Sequence, residues 1–390
     1  MFNLLSKFQK LKKNKKWKIR WLFHATNFES LMYPCFTFCR IIGLFPYKID
    51  AMTFKISKPC YIFSGVITCI ACVYNLIILY DINLSKNIKY KSLPMTLERN
   101  CFYVFGGFIA VVTFILSGPR MHLIQTILEV SLRLPQESYQ NLSRLIHAKD
   151  IFGFFCIIVQ AVIFYSWMQF SVLRKILTLY FVIVLFIMDM LYMNCVCVLK
   201  ACFKQINDNL MNLPGLVTNR EIYFLRRTYY EQRNPFLLMQ LKALKKQHLE
   251  ISNTVQMLKI IFSLQLLSTI SLTFIQITLN LYFYLVRVQV RSMSYRENQV
   301  YYNYFITAIT FCLTKIVLII WACETGKNQA AEISITVQDI LNSTSDKETK
   351  YELHLFSLQL LHCENEFSVK GLSVDFTLLS RVSQSSAFVE

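Results

Sequence analysis

Apolar residues in this chain gather in runs too long for the core of a soluble domain. Six stretches, at about 60–82, 101–118, 151–172, 176–199, 260–286 and 303–323, are dominated by Ile, Leu, Val and Phe. Each approaches or exceeds the ~20 residues a helix needs to cross the hydrocarbon of a bilayer. Aromatic residues sit at their ends, as at membrane interfaces. Tyr61 and Tyr80 flank the first stretch, and Tyr301, Tyr302 and Tyr304 crowd the start of the sixth. A seventh candidate, 31–47, is shorter, holds Pro34 and carries Arg40. Between the fourth and fifth stretches, Leu237, Leu241, Leu244 and Leu249 recur at near-helical spacing with lysines between them. No Gly or Pro separates Phe236 from Val286, so one helix is predicted to run through this linker into the fifth stretch and to project well beyond the bilayer. Residues 351–364 predict an amphipathic helix with Leu353, Phe356, Leu360 and Leu361 on one face.

Composition agrees with the pattern. Of 390 residues, 55% are hydrophobic and 16% charged, against about 25% charged in a soluble domain. Only 9 Gly and 8 Pro occur, which excludes collagen-like and low-complexity classes. The 13 cysteines lie mostly inside apolar runs, among them Cys69, Cys72, Cys156, Cys195, Cys197 and Cys312. There they act as small apolar residues, and no zinc or redox spacing is present. The expected fold class is therefore all-α, a polytopic membrane helix bundle.

The net charge of +18 then reads as a topology signal and not as a nucleic-acid surface, because Lys and Arg favour the cytoplasmic side of membrane proteins. With six spans and the N-terminus inside, the inner segments up to residue 352 hold 28 basic residues and the outer loops 9. Letting 31–47 span as well, with the N-terminus outside and the last inner segment counted to residue 390, gives 21 and 17. The first arrangement wins, and 31–47 becomes a helix at the inner interface where Arg40 can snorkel. The first 20 residues hold eight basic groups and no apolar signal core, so the first span is expected to direct membrane insertion. Phe2, Leu4, Leu5, Phe8, Leu11, Trp17 and Ile19 alternate with those lysines, leaving two readings open: a tail on anionic lipid or a solvated one.

The expected layout is a basic N-terminal part with the interfacial helix at 1–58, transmembrane helices 1–4 at 59–199 and a cytoplasmic helical linker at 200–258. Transmembrane helices 5–6 follow at 259–325, then a cytoplasmic loop and C-terminal motif at 326–390.

Two ionisable residues lie inside spans, Asp189 and Lys315. Charge in hydrocarbon costs about 3 kcal/mol or more unless shielded. The two sit at similar depth, so they either form an ion pair, line a shared polar cavity, or are solvated independently. The outer halves of the spans carry Tyr165, Trp167, Gln169, Gln276, Asn280, Tyr282, Tyr302 and Tyr304. These supply ring faces and hydrogen bonds for a small polar ligand, or else form an interfacial aromatic belt. The ligand-binding candidates are Tyr165, Trp167, Asp189, Gln276, Tyr304 and Lys315. No nucleophile elbow, HExxH, P-loop or GxGxxG occurs, so no catalytic residue, cofactor or metal site is expected. Of three Asn-x-Ser/Thr sequons only Asn83-Leu84-Ser85 falls outside.

Near the C-terminus, Phe356, Gln359, Leu360, Leu361, His362, Phe367, Gly371, Leu372, Asp375, Thr377, Leu378 and Leu379 follow one another at characteristic intervals. In order and spacing this segment resembles the insect gustatory receptor family. Two weaker matches accompany it: Gly43-Leu44-Phe45-Pro46-Tyr47 before the first span, and Cys323-Glu324-Thr325 with Ala331 after the sixth. The resemblance implies an inverted seven-helix topology with the N-terminus inside. It further implies homo- or hetero-tetrameric ligand-gated cation channels made with related subunits, a small-molecule tastant in an outer-half cavity, a pore-lining last helix, and a cytoplasmic anchor between subunits. The family continues after the position of Leu379 into that helix, ending Thr-Tyr, five apolar residues, Gln-Phe. Here eleven residues with Arg381 and Glu390 follow, too few to cross the bilayer, so a truncated seventh helix is expected.

The reading is a gustatory-type receptor subunit, multi-pass in the plasma membrane of a sensory neuron, in contact with the lipid bilayer. A G-protein-coupled receptor is the rival. It requires an extracellular N-terminus and an Asp/Glu-Arg-Tyr tripeptide after the third span, which is absent. A transporter would carry internal repeats and Gly/Pro-broken spans, and neither is evident in the chain.

Overall fold

The computed structural model describes residues 24–50, 53–85, 88, 92–167, 171–221, 235–289, 295–344 and 346–367. The basic stretch before residue 24 and the segment expected to hold the shortened seventh helix lie outside the described residues.

Helix α1, Phe28–Ile41, starts at a capping box: Asn27 Oδ1 accepts the Ser30 N–H at 2.9 Å, and Ser30 Oγ accepts the Asn27 N–H at 3.2 Å. It ends at Gly43, whose φ of 81° is open to glycine at little cost. Leu44 N–H donates to Cys39 O and Gly43 N–H to Arg40 O, the paired bonds of a Schellman cap. At 14 residues α1 rises about 21 Å, short of the ~30 Å hydrocarbon core, so it does not span. Phe28, Leu31, Met32, Cys35, Phe36 and Cys39 form its buried face, while Tyr33, Phe38 and Ile41 are exposed.

Strands β1, Tyr47–Asp50, and β2, Thr53–Ile56, form an antiparallel hairpin with Tyr47 opposite Ile56. The all-α expectation did not include it. Phe45 stacks on Phe36 at 4.9 Å and meets Phe54 edge-on at 5.8 Å, so aromatic packing fixes a strand pair too short to stand alone.

Six helices carry the long apolar stretches: α2, Lys58–Asn83; α3, Leu93–Ile115; α5, Gln136–Trp167; α6, Val172–Glu221; α7, Pro235–Gln289; and α8, Tyr295–Ser343. The short α4, Ser117–Ser131, and α9, Lys347–His362, complete the set among the described residues. Helix α3 begins eight residues before its apolar stretch starts. It stops at Ile115 because Pro119 has no N–H to give that carbonyl. The predicted continuous helix is α7, 55 residues and about 82 Å long.

Helix α6 is the axis of the bundle, with 89% of its apolar stretch buried. Helix α2 is peripheral, with 22% buried. Its exposed Ile62, Val66, Ile70, Val73 and Leu76 suit a lipid-facing surface. We call the end where α3 begins and α5 ends the upper end. At the lower end, α6, α7 and α8 overrun the apolar layer and α9 packs against α7 and α8. On α9, Leu353 and Phe356 are fully buried as expected, but Leu361 is 76% exposed. At 100° per residue it lies about 80° round from Leu353, off the face that Phe356 and Leu360 share.

Candidate functional site

Five helices meet at the upper end around a cavity of about 90 Å³. Helix α3 contributes Glu98, Arg99 and Phe102; α5, Gln160 and Tyr165; α6, Thr178; α7, Gln276 and Asn280; α8, Tyr304, Ala308, Phe311 and Cys312. Some of these polar groups are matched. Cys312 Sγ donates to Gln276 Oε1 at 3.7 Å, Asn280 Nδ2 to the Gln276 carbonyl at 2.7 Å, and the Thr178 hydroxyl to Arg174 O at 2.9 Å. Others are not: Gln160 Oε1 is buried without a partner. Ring faces with a few fixed polar groups suit reversible binding of a small molecule. No nucleophile stands beside a base in this lining.

Below the cavity lies a buried chain of charge. Arg120 Nη2 donates to Gln265 Oε1 at 3.1 Å, and Gln265 Nε2 to Asp189 Oδ1 at 3.4 Å. Lys315 Nζ stands 3.9 Å from Asp189 Oδ2, with the side chains 6% and 0% exposed. The Arg120 guanidinium also lies 5.1 Å over the Phe262 ring and donates to Thr113 O. Four helices, α4, α6, α7 and α8, are thereby tied at one level, and Lys315 is only one helical turn from cavity residue Cys312.

A second polar cluster closes the lower end. Gln359 Nε2 donates to the Lys245 carbonyl at 2.9 Å and contacts His248 Nδ1 at 3.1 Å. Nδ1 is therefore the acceptor and His248 carries its proton on Nε2. Asn365 lies 3.3 Å from Nε2 and its Oδ1 otherwise has no partner. Hydrogen-bond balance turns the amide oxygen toward that N–H. The rings of Phe203 and Phe356 lie 5.8 and 5.6 Å from the imidazole. At the edge, Glu352 meets Lys245 Nζ at 2.6 Å and Lys242 Nζ at 3.5 Å. These lysines hold the Glu352 carboxyl below its ordinary range, the Lys245 hydrogen bond first among the causes. Phe367 is buried against Gly326, where a Cβ would come within 2.8 Å of the ring, and its carbonyl receives the Tyr192 hydroxyl. That hydroxyl also contacts Cys323 Sγ at 3.3 Å.

Of the residues singled out in the sequence, Tyr165, Gln276 and Tyr304 line the cavity. Asp189 and Lys315 do not; they meet each other beneath it. The side chain of Trp167 lies outside the described residues, as do Gly371 and Asp375. Phe356, Gln359 and Phe367 belong to the lower cluster, and His362 is exposed on the last turn of α9. The sequence reading missed Glu98, Arg99, Gln160 and Thr178 in the cavity, Arg120 and Gln265 in the charge chain, and His248 in the lower cluster. Glu98 and Arg99 had been counted with a loop because they precede the apolar run. Arg120 had been counted likewise because it follows Pro119.

Comparison with known proteins places this geometry in a family. Over 31% of this chain, 127 residues, it is 31% identical to "Putative gustatory receptor 28b" of Drosophila melanogaster. The match spans 27% of that relative, so the chain covers about a quarter of its length. The fold is that of the insect olfactory receptor OR5 from Machilis hrabei, with TM-score 0.69, 11% identity, and 92% of this chain and 96% of that one covered. The same receptor in complex with eugenol gives TM-score 0.66 at 10% identity, covering 92% and 95%. The profile of the 7tm chemosensory receptor family matches residues 32–383, nearly the whole chain, and the chain belongs to that family.

Proposed function

We propose that this chain is a gustatory-type receptor subunit of the plasma membrane that binds a small tastant in the upper cavity and gates a cation conductance. One observation carries the reading: a family chemosensory receptor holds, where five helices meet, a cavity lined by Tyr165, Gln276 and Tyr304. The related olfactory receptor is known in complex with eugenol, which supports a small-molecule ligand. Binding shifts a closed–open equilibrium only through different affinity for the two states. The charge chain lies on the path between cavity and lower end.

The lower end is cytoplasmic in this reading. Basic residues up to residue 352 then number 28 on that side and 9 on the other, the N-terminus is inside, and the exposed Tyr33, Phe38 and Ile41 of α1 meet the inner interface. The exposed Tyr351, Leu358 and Leu361 of α9 supply an apolar surface for the tetramer with related subunits. A tag at the N-terminus is expected to bind antibody only in permeabilised cells; labelling of intact cells refutes the orientation. For the cavity, a panel of sugars, amines and bitter compounds is applied to cells expressing the full chain with Ala308 or with Ala308→Trp. A response that Ala308→Trp abolishes supports the site, and one that survives it unchanged removes it.

A further inference from the structure

The cavity wall holds two acceptors with nothing to accept. Glu98 is 9% exposed and makes no hydrogen bond or ion pair among the described residues. Gln160 Oε1 is likewise buried and unpartnered. Its neighbour Arg99 lines the same cavity but forms no ion pair with Glu98 among the described residues. A carboxylate on the wall of a cavity with no protein donor or cation in contact attracts groups that bring donors and positive charge. The same wall presents the rings of Phe102, Tyr304 and Phe311, and aromatic faces attract cations; the Tyr165 ring already carries Lys175 Nζ at 5.2 Å.

A primary ammonium fits all three features. It carries three donors and no acceptor, enough for both acceptors. A carboxylate ligand would bring like charge to Glu98. A neutral alcohol would satisfy hydrogen bonds but leave the charge uncompensated. We propose that the cavity selects a small organic amine, bound as its ammonium by Glu98 and Gln160 Oε1 among these rings. This rests on the reading of the cavity as the ligand site and adds the ligand's chemical class.

The test uses the purified full chain in nanodiscs and three probes of one carbon frame: phenethylamine, phenethyl alcohol and phenylacetate. The amine is expected to bind roughly 30-fold more tightly than the alcohol, with no binding of phenylacetate. Glu98→Gln is expected to remove the preference, bringing the amine down to about the level of the alcohol. Gln160→Glu, a change of opposite sign, is expected to strengthen the amine further. Equal binding of the three probes, strongest binding of phenylacetate, no binding of any, or an amine preference that survives Glu98→Gln overturns the amine class. If a neutral compound then binds and Ala308→Trp blocks it, the cavity reading stands without the amine. If Ala308→Trp blocks nothing that binds, both fall.

Discussion

The two ends of the bundle treat polar groups in opposite ways. At the lower end every nitrogen of His248 has its match, Gln359 spends both amide hydrogens, and Phe203 and Phe356 exclude water from the pair. At the upper end Glu98 and Gln160 face a cavity unmatched. A satisfied network in a low dielectric specifies one packing. An unsatisfied one weakens the fold locally and leaves binding energy for a ligand. The lower end therefore reads as the part that is held, and the upper end as the part that responds.

The largest effect should come from the held end. Phe356→Ala removes a fully buried ring from α9 and is expected to cost about 3–5 kcal/mol, seen as a lower melting temperature in detergent. An unchanged melt would break the contrast, because the lower end would then not be a packed core. Next comes the charge chain. Lys315→Met leaves Asp189 without its cation and is expected to cost about 3 kcal/mol. The double variant Asp189→Asn with Lys315→Met should recover most of that loss in the same melt. Additive losses would mean that the two side chains do not act as a pair.

At the responsive end the sign should reverse. Glu98→Gln discards an uncompensated carboxylate while keeping its shape, so the ligand-free protein should gain about 1 kcal/mol. A loss instead would show that Glu98 is already satisfied. The smallest effect concerns pH. The Glu352 carboxyl is held below its ordinary value of 4.5, so its ion pair with Lys245 contributes fully above that value and is lost as pH falls through the folded-state value. Glu352→Gln should therefore lower stability near neutrality by less than about 1 kcal/mol and leave it unchanged in strong acid, which flattens the acid limb of a stability–pH curve.

Much of the frame was legible in the sequence because hydrocarbon imposes a simple rule of length and apolarity. The six spans and the uninterrupted α7 follow from that rule and from the absence of Gly and Pro between Phe236 and Val286. Depth alone brought Asp189 and Lys315 to one level, and they lie 3.9 Å apart. The hairpin at 47–56 was not legible, because its strands are held by Phe36 on another element and not by their own pattern. The cavity was half legible. Tyr165, Gln276 and Tyr304 could be read from position, but Glu98 and Arg99 look like loop charges until α3 is seen to begin at Leu93. His248, a lone histidine in a basic linker, gave no signal, since its partners come from residues more than a hundred positions away.

Labelling of native cysteines separates the two ends most directly. Cys312 lines the upper cavity, whereas Cys323 lies against Tyr192 in the packed interior near Phe367. The full chain is treated in nanodiscs with a pair of small methanethiosulfonate reagents, one bearing an ammonium and one a sulfonate, and each site is read by mass spectrometry. The account predicts that Cys312 is modified, faster by the ammonium reagent, that Ala308→Trp stops this, and that Cys323 stays unmodified until unfolding. Modification of Cys323 ahead of Cys312, or of Cys312 faster by the sulfonate, would contradict it.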